Sequence, residues 1–411
     1  MRPRRVLFIT YNFPPHGGAG VQRSLKFVKY LPQFNWDPWI VTSSVDSSPI
    51  LDHSLEAEIP PNIQIERVPG FSINRLIAKA NRFHLTRFAV LINLFLQIPD
   101  AAYFWSINTR PIIENLIKRA NPDVVYTSSG PYSTHLIGYW VKQQFGIPWL
   151  ADFRDPWSNN LLIPYLPLYR AYNRRLERQV LNYADRVVCV SKPWLNELLA
   201  NSNRSADNFI TITNGYDEQD IAPLPFQPPK PPFTITHIGS FYRNRKPAEF
   251  IKALTRLIEN GSIPPETIQV LFIGKNSDRD VPSTPYIKTI GYVPHKELEK
   301  YRSDTDVFLL ILDTSPENVG NHSGKIFEYM ASNRPILGIV PKNGVAQELF
   351  ERSKTGYSVH GDVNDIERAI KRIYFSWKAG YQDWNPDWQY IQRYTRKKLT
   401  ARLAEGLNSL V

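Results

Sequence analysis

Ala222-Pro223-Leu224-Pro225-Phe226-Gln227-Pro228-Pro229-Lys230-Pro231-Pro232 divides this chain in two. Proline lacks the amide hydrogen that a helix interior or a central strand requires. The stretch therefore reads as a semi-rigid, extended interdomain linker. Before it, short apolar runs at 5–10, 39–42, 63–68, 123–128, 148–153, 186–190 and 209–213 read as strands. Several are continuously apolar, as parallel strands covered on both faces are. Helix-length stretches such as 21–31, 133–145 and 169–183 lie between them. After the prolines the alternation restarts, with strands expected at 233–239, 269–274, 286–290, 306–312, 335–340 and 356–359. The pattern predicts two doubly wound α/β domains, 1–221 and 233–383, on either side of a linker at 222–232. The remaining 384–411 is tryptophan-rich at first and then helical, with a helix expected over 387–410. Ligands of such folds bind beyond the carboxyl ends of the strands, so the chemistry is expected in the loops that follow them.

Composition narrows the possibilities. A chain of 411 residues can bury two or more cores, and 13% aromatic residues exclude a disordered chain. The single cysteine, Cys189, excludes a disulfide framework and a multi-cysteine metal site, and suits a reducing compartment. With 49 basic and 38 acidic residues the formal charge is +11, which fits nucleic acid, anionic lipid or phosphorylated small molecules as partners. The N-terminal run 6–10 is strand-sized and leads into Asn12-Phe13-Pro14-Pro15, unlike a signal peptide. The longest lipophilic run, 88–98, contains Asn93 and Gln97 and falls short of the roughly 20 residues that span a bilayer. A cytoplasmic protein is the expectation.

Five strand-end stretches are candidates for chemistry. Pro14-Pro15-His16-Gly17-Gly18-Ala19-Gly20-Val21-Gln22-Arg23 is a glycine loop opening a helix. Gly17 and Gly18 would let the backbone approach a sugar or an anion. Arg23 fills the third glycine position of a dinucleotide fingerprint, which excludes that motif; an ordinary strand-to-helix turn gives the same pattern. Asp152, Arg154 and Asp155 put three charges at a strand end, costly unless paired or used. Arg154 and Asp155 could contact sugar or phosphate oxygens; an internal Arg–Asp pair is the alternative. Ser129-Gly130-Pro131-Tyr132-Ser133-Thr134-His135 places His135 in a first helical turn, as a sugar contact or as a structural residue. Arg243, Arg245 and Lys246 follow the strand at 233–239, as a pyrophosphate site or as a solvated basic loop. Finally, Ser323-Gly324-Lys325-Ile326-Phe327-Glu328 opens a helix on which Lys325 and Glu328 share one side. Glu328 could accept both hydroxyls of a ribose while Lys325, with the helix amides, faces phosphate. A surface ion pair is the alternative.

Together these stretches resemble the large retaining GT-B glycosyltransferase family four (glycosyl transferases group 1), typified by sucrose synthase and bacterial mannosyl- and lipopolysaccharide-sugar transferases. Pro14-Pro15-His16-Gly17-Gly18 is similar to its Pro-Pro-x-x-Gly-Gly loop. Asn214-Gly215-Tyr216-Asp217 is similar to its Asn-Gly-Phe/Val-Asp element, and Lys325-Ile326-Phe327-Glu328-Tyr329-Met330-Ala331 with Arg334-Pro335 to its donor-binding helix. The resemblance covers nearly the whole chain. It implies two Rossmann-like domains facing a cleft, the N-terminal one on the acceptor side and the C-terminal one binding the donor, with the segment 384–411 crossing back to pack on the N-terminal domain.

The resemblance also implies residue roles. Glu328 matches the ribose-binding glutamate and Lys246 the pyrophosphate-contacting lysine. The family's partner arginine falls on Ser240 here, with Arg245, or else Arg243, as its replacement. Backbone around Tyr292-Val293-Pro294 corresponds to the base-binding loop. Arg154-Asp155 occupies the place of a His-Asp pair near the reacting sugar. The family often carries a second glutamate eight positions before the first; that position is Gly320, with Glu317 out of register and Asn318 or Asn321 as substitutes. This departure leaves the donor-sugar contacts open.

The reaction so implied is retaining sugar transfer from a nucleotide-diphosphate sugar, with no cofactor and no metal, in polysaccharide, lipopolysaccharide or glycolipid synthesis. The segment 74–98 interleaves Arg75, Lys79, Arg82 and Arg87 with apolar residues. It fits an anionic membrane surface, or a partly buried helix with a solvated face. The partners implied are a nucleotide sugar and a sugar or lipid-linked acceptor, with no specific nucleic acid. A nucleotide-sugar epimerase of the same fold, a non-catalytic subunit and a nucleic-acid-binding protein are the competing readings.

Overall fold

The computed structural model describes residues 2–48, 50–70, 98–160, 166–225, 228–241, 245–274, 281–381 and 384–411. Arg243 and nearly all of the basic, apolar segment 74–98 lie outside them. The chain forms two compact α/β units: Met1–Thr213 with Lys397–Val411, and Asn214–Arg396.

The first unit is built on a seven-stranded parallel sheet in the order β3-β2-β1-β4-β5-β6-β7. Its strands are β1 (Arg4–Thr10), β2 (Trp36–Ser43), β3 (Gln64–Val68), β4 (Val124–Ser128), β5 (Trp149–Phe153), β6 (Arg186–Cys189) and β7 (Phe209–Thr211). Side chains alternate across a strand: Val6 and Phe8 enter one core, Leu7 and Ile9 the other. Both faces are covered, which is why these strands are apolar throughout. Helix Ser133–Phe145 packs so closely on β5 that a Cβ on Gly138 would lie 2.3 Å from the Trp149 ring.

The last helix, Arg396–Asn408, completes one face of this sheet. Leu399, Leu403, Ala404 and Leu407 join Val6, Phe8 and Leu150. Arg4 Nη1 and Trp36 Nε1 donate to Asn408 Oδ1 at 2.9 and 3.1 Å. The single helix expected over 387–410 is interrupted before Arg396. Tyr216 N donates to Tyr394 O at 3.1 Å and Arg396 N to Tyr216 O at 2.7 Å. This strand-like pairing takes the backbone groups that a continuous helix would need.

The second unit carries a six-stranded parallel sheet in the order β10-β9-β8-β11-β12-β13. Its strands are β8 (Phe233–Ile238), β9 (Ile268–Ile273), β10 (Ile287–Ile290), β11 (Val307–Ile311), β12 (Ile336–Ile339) and β13 (Gly356–Val359). Phe308 and Leu310 serve one core, Val307 and Leu309 the other. The proline-rich stretch falls inside this unit, and its first residues are fastened to it. Buried Arg334 donates from Nη2 to Pro225 O at 2.9 Å, and Asn333 Nδ2 donates to Leu224 O at 2.9 Å. Proline cannot donate to a ladder, but carbonyl oxygens in this stretch still accept. Each sheet reverses its strand order once, between β1 and β4 and between β8 and β11. Among the described residues no helix is long and apolar enough to cross a membrane.

Candidate functional site

In the second unit the chain leaves β8 at Gly239, and the loop after β11 leads into helix Lys325–Ala331; these strand ends flank the point where the order reverses. Tyr329 bolts the two together. Its hydroxyl accepts from Ile238 N at 2.9 Å and lies 3.3 Å from Ile238 O, and its ring stacks on Phe308 at 4.2 Å. The same short helix presents Lys325 and Glu328, with Lys325 Nζ 3.4 Å from Glu328 Oε2. Upstream, a Cβ on Gly324 would meet nothing within 4 Å, so the Ser323–Gly324 turn borders open space.

A residue that the sequence did not single out completes this cluster. Arg302 is buried; its Nη1 lies 3.5 Å from Glu328 Oε2 and its Nε donates to Glu299 Oε2 at 3.0 Å. Glu328 is thus held by two cations from separate elements. Arg302 sits in a helix of only five residues, Glu299–Ser303, too short for periodicity to reveal which side is buried.

His237, near the end of β8, was also not singled out. Its Nδ1 lies 3.0 Å from Leu309 O, and a carbonyl only accepts, so Nδ1 carries the hydrogen and Nε2 is left as an acceptor. Nε2 is buried and has no hydrogen-bond partner among the described residues. Burial pushes the imidazole pKa down to about 4, and the charges of Lys325 and Arg245 push the same way. Both cations therefore act on one ring. Lys246 follows Arg245 and is exposed. Tyr292, exposed, and Val293, half-buried, follow β10, two strands from β8. In the loop after β11, Asn318 is turned inward, donating to Ser315 Oγ at 2.8 Å. Glu317 is exposed and Gly320 buried.

In the first unit the glycine loop follows β1. Gly18 caps helix Ala19–Tyr30 at φ 91°, a conformation that favours glycine, and a Cβ there would meet nothing within 4 Å. Gly17 N donates to Ile50 O at 2.9 Å. Arg154, after β5, donates from Nη1 to Gly20 O at 2.9 Å and so ties two strand-end loops together. The neighbouring Asp152 is paired internally. Fully buried Arg23 grips it with Nε at 2.7 Å and Nη2 at 2.9 Å, while also donating to Ile212 O and Thr213 O. The arginine in the third glycine position is therefore a strut across the sheet end.

Asp155 is half-buried in a loop braced from behind. Trp157 Nε1 donates to Asn173 Oδ1 at 2.8 Å, and Ser158 Oγ donates to buried Glu177. His135 is fully buried, with Nδ1 2.8 Å from Thr127 Oγ1 and its ring stacked on Phe153 at 4.3 Å. Burial pushes its pKa down to about 3. It is a neutral ring inside the core.

Residues 18–220 match the family Glycosyltransferase Family 4, and residues 232–375 match Glycosyl transferases group 1. Among solved structures the chain is similar to sucrose-phosphate synthase from Thermosynechococcus elongatus, with 15% identity, a TM-score of 0.67 and 99% of each chain covered. It is similar to HepE from Anabaena in complex with UDP-glucose, with 15% identity, a TM-score of 0.65 and 98% and 99% of the two chains covered. UDP-GlcNAc 2-epimerase from Methanocaldococcus jannaschii is similar at 12% identity and a TM-score of 0.54, over 98% of this chain and 99% of that one. At such identities the likeness is one of fold. No curated protein sequence matches the chain.

Proposed function

We propose, since this chain belongs to the GT-B glycosyltransferases of the group 1 type, that its second unit binds a nucleoside-diphosphate sugar whose glycosyl group is transferred with retention. The observation that carries this reading is the cluster at the β8/β11 reversal: Glu328 between Arg302 and Lys325, with Arg245 acting on the same buried histidine as Lys325. Glu328 accepts the ribose hydroxyls. Arg245, Lys246 and Lys325 neutralise the charge that develops on the leaving diphosphate, and fixed cations there do the work without a metal. The Ser323–Gly324 turn leaves room for the phosphates, and the Tyr292–Val293 loop borders the base. In the first unit the open backbone at Gly17 and Gly18, with Arg154 and Asp155, forms the sugar and acceptor side. HepE's complex with UDP-glucose makes uridine diphosphate sugars the first donors to assay.

The acceptor belongs to polysaccharide, lipopolysaccharide or glycolipid synthesis, and the enzyme takes it at an anionic membrane surface. The net charge of +11 supports this part of the reading. Thermal-shift measurements against nucleoside diphosphates and their sugars identify the donor, because a bound ligand stabilises the native state. With that donor, Lys246→Ala is expected to lower transfer by about 100-fold or more while the fold survives. Wild-type rates would reject the assignment. The epimerase similarity favours one competing reading, isomerisation of the nucleotide sugar. Incubation with donor alone separates the two, since a new nucleotide sugar appearing without acceptor would mark an epimerase.

A further inference from the structure

Helix Pro167–Tyr183 has two unlike faces. Its inner face is structural: Asn173 and Glu177 hold the loop after β5, and Val180 and Leu181 enter the core. Its outer face is unusual in two respects. Leu168 is 84% exposed, Leu166 just before the helix 60%, and Tyr172 50%. Arg175 and Arg178 are exposed beside them, and Arg174 and Arg170, also exposed, lie on the flank toward Glu177. The helix's one acidic residue, Glu177, is buried on the other side. Among the described residues none of the four arginines forms an ion pair; Arg174 and Arg178 both donate to the neutral Asn201 side chain. Leu168, Tyr172 and Arg175, spaced four and three apart, form one stripe along this face.

We propose that this face is where the enzyme docks on an anionic lipid bilayer. The proposal rests on the membrane reading above and assigns it to a surface. A single exposed leucine needs no explanation, but protruding leucines and a tyrosine flanked by exposed arginines do. The arginines complement a negatively charged headgroup layer, and the side chains between them reach the acyl boundary. Protruding side chains suit a deformable partner that can admit them. A nucleic acid would answer the arginines but offers the leucines nowhere to go. Because the inner face of the same helix braces the loop carrying Arg154 and Asp155, docking here would set the acceptor-side loop beside the bilayer.

Sedimentation with phosphatidylcholine vesicles, with and without phosphatidylglycerol, tests the surface. The full-length protein is expected to bind only the anionic vesicles, and less as salt rises. Leu168→Ser with Tyr172→Ser, and separately Arg175→Glu with Arg178→Glu, are each expected to lower partitioning by about tenfold or more. Lys252→Glu with Lys371→Glu makes the same change in net charge on the second unit and is expected to retain binding. Stabilisation by a nucleoside diphosphate should be unchanged in all of them, which shows that the fold and the donor site survive.

Equal binding by both variants and the wild type would overturn this surface while leaving the membrane reading intact. A wild-type protein that binds no anionic vesicle would overturn both. Concentration-dependent self-association abolished by Leu168→Ser with Tyr172→Ser, without vesicle binding, would make the face a protein interface and overturn the proposal. So would tight duplex DNA binding lost only in the arginine variant.

Discussion

Arg302 bears on Glu328, the residue proposed to hold the ribose. A carboxylate that must accept two hydroxyls needs its oxygens fixed before the ligand arrives, and a buried guanidinium 3.5 Å away limits its rotation. Arg302→Met keeps most of the side-chain volume and removes the charge. It is expected to raise the donor KM by about tenfold with a smaller effect on kcat, and Arg302→Lys should recover part of the loss. Steady-state kinetics at varied donor concentration measure this. Equal falls in kcat and kcat/KM would place Arg302 with the chemistry instead. At this scale the sequence was legible where spacing carries geometry: Lys325 and Glu328, three apart on a helix, do share a side. It was not legible for Arg302 or His237, because a basic residue in a charged stretch and a histidine in a strand give no sign of burial. Nor does a strand-end aspartate announce its partner. Asp152 found it in Arg23, 129 residues away.

The strands were legible because parallel strands buried on both faces leave uninterrupted apolar runs, as in β1, β4 and β11. Boundaries were less so. The tail that reads as one helix is divided before Arg396 by pairing with Tyr216, a contact between segments too distant for local pattern to encode. Close approach between elements is similarly hidden until a glycine marks it. At Gly138, helix Ser133–Phe145 lies against Trp149 with no space for a methyl group. Gly138→Ala has an intrinsic helix-propensity gain of about 1 kcal/mol. The overlap with Trp149, part of the β5 layer, outweighs it, and a net loss of roughly 1–3 kcal/mol is expected. Urea denaturation monitored by tryptophan fluorescence checks this; a more stable variant would show that the ring can give way.

The molecule as a whole is two α/β units with the second inserted in the chain of the first. The repeated alternation around the prolines made the pair of units legible. The assignment of 384–411 to the first domain was not readable from periodicity and came only from resemblance; in the structure the first unit takes up residues from Lys397 onward. Those residues bury Leu399, Leu403 and Leu407. At about 2 kcal/mol per leucine they supply roughly 6 kcal/mol, comparable to the net stability of a typical domain. A chain ending at Arg396 is therefore expected to lose the fold of its first unit, seen as rapid proteolysis within 1–213. Donor-nucleotide binding by the second unit would persist.

The same connectivity orders events during synthesis. The half of the protein that leaves the ribosome first is the last to be finished. Its sheet waits with part of one greasy flank uncovered while some 180 further residues are translated, and only the final helix closes it. During that interval the nascent chain is a natural client for chaperones.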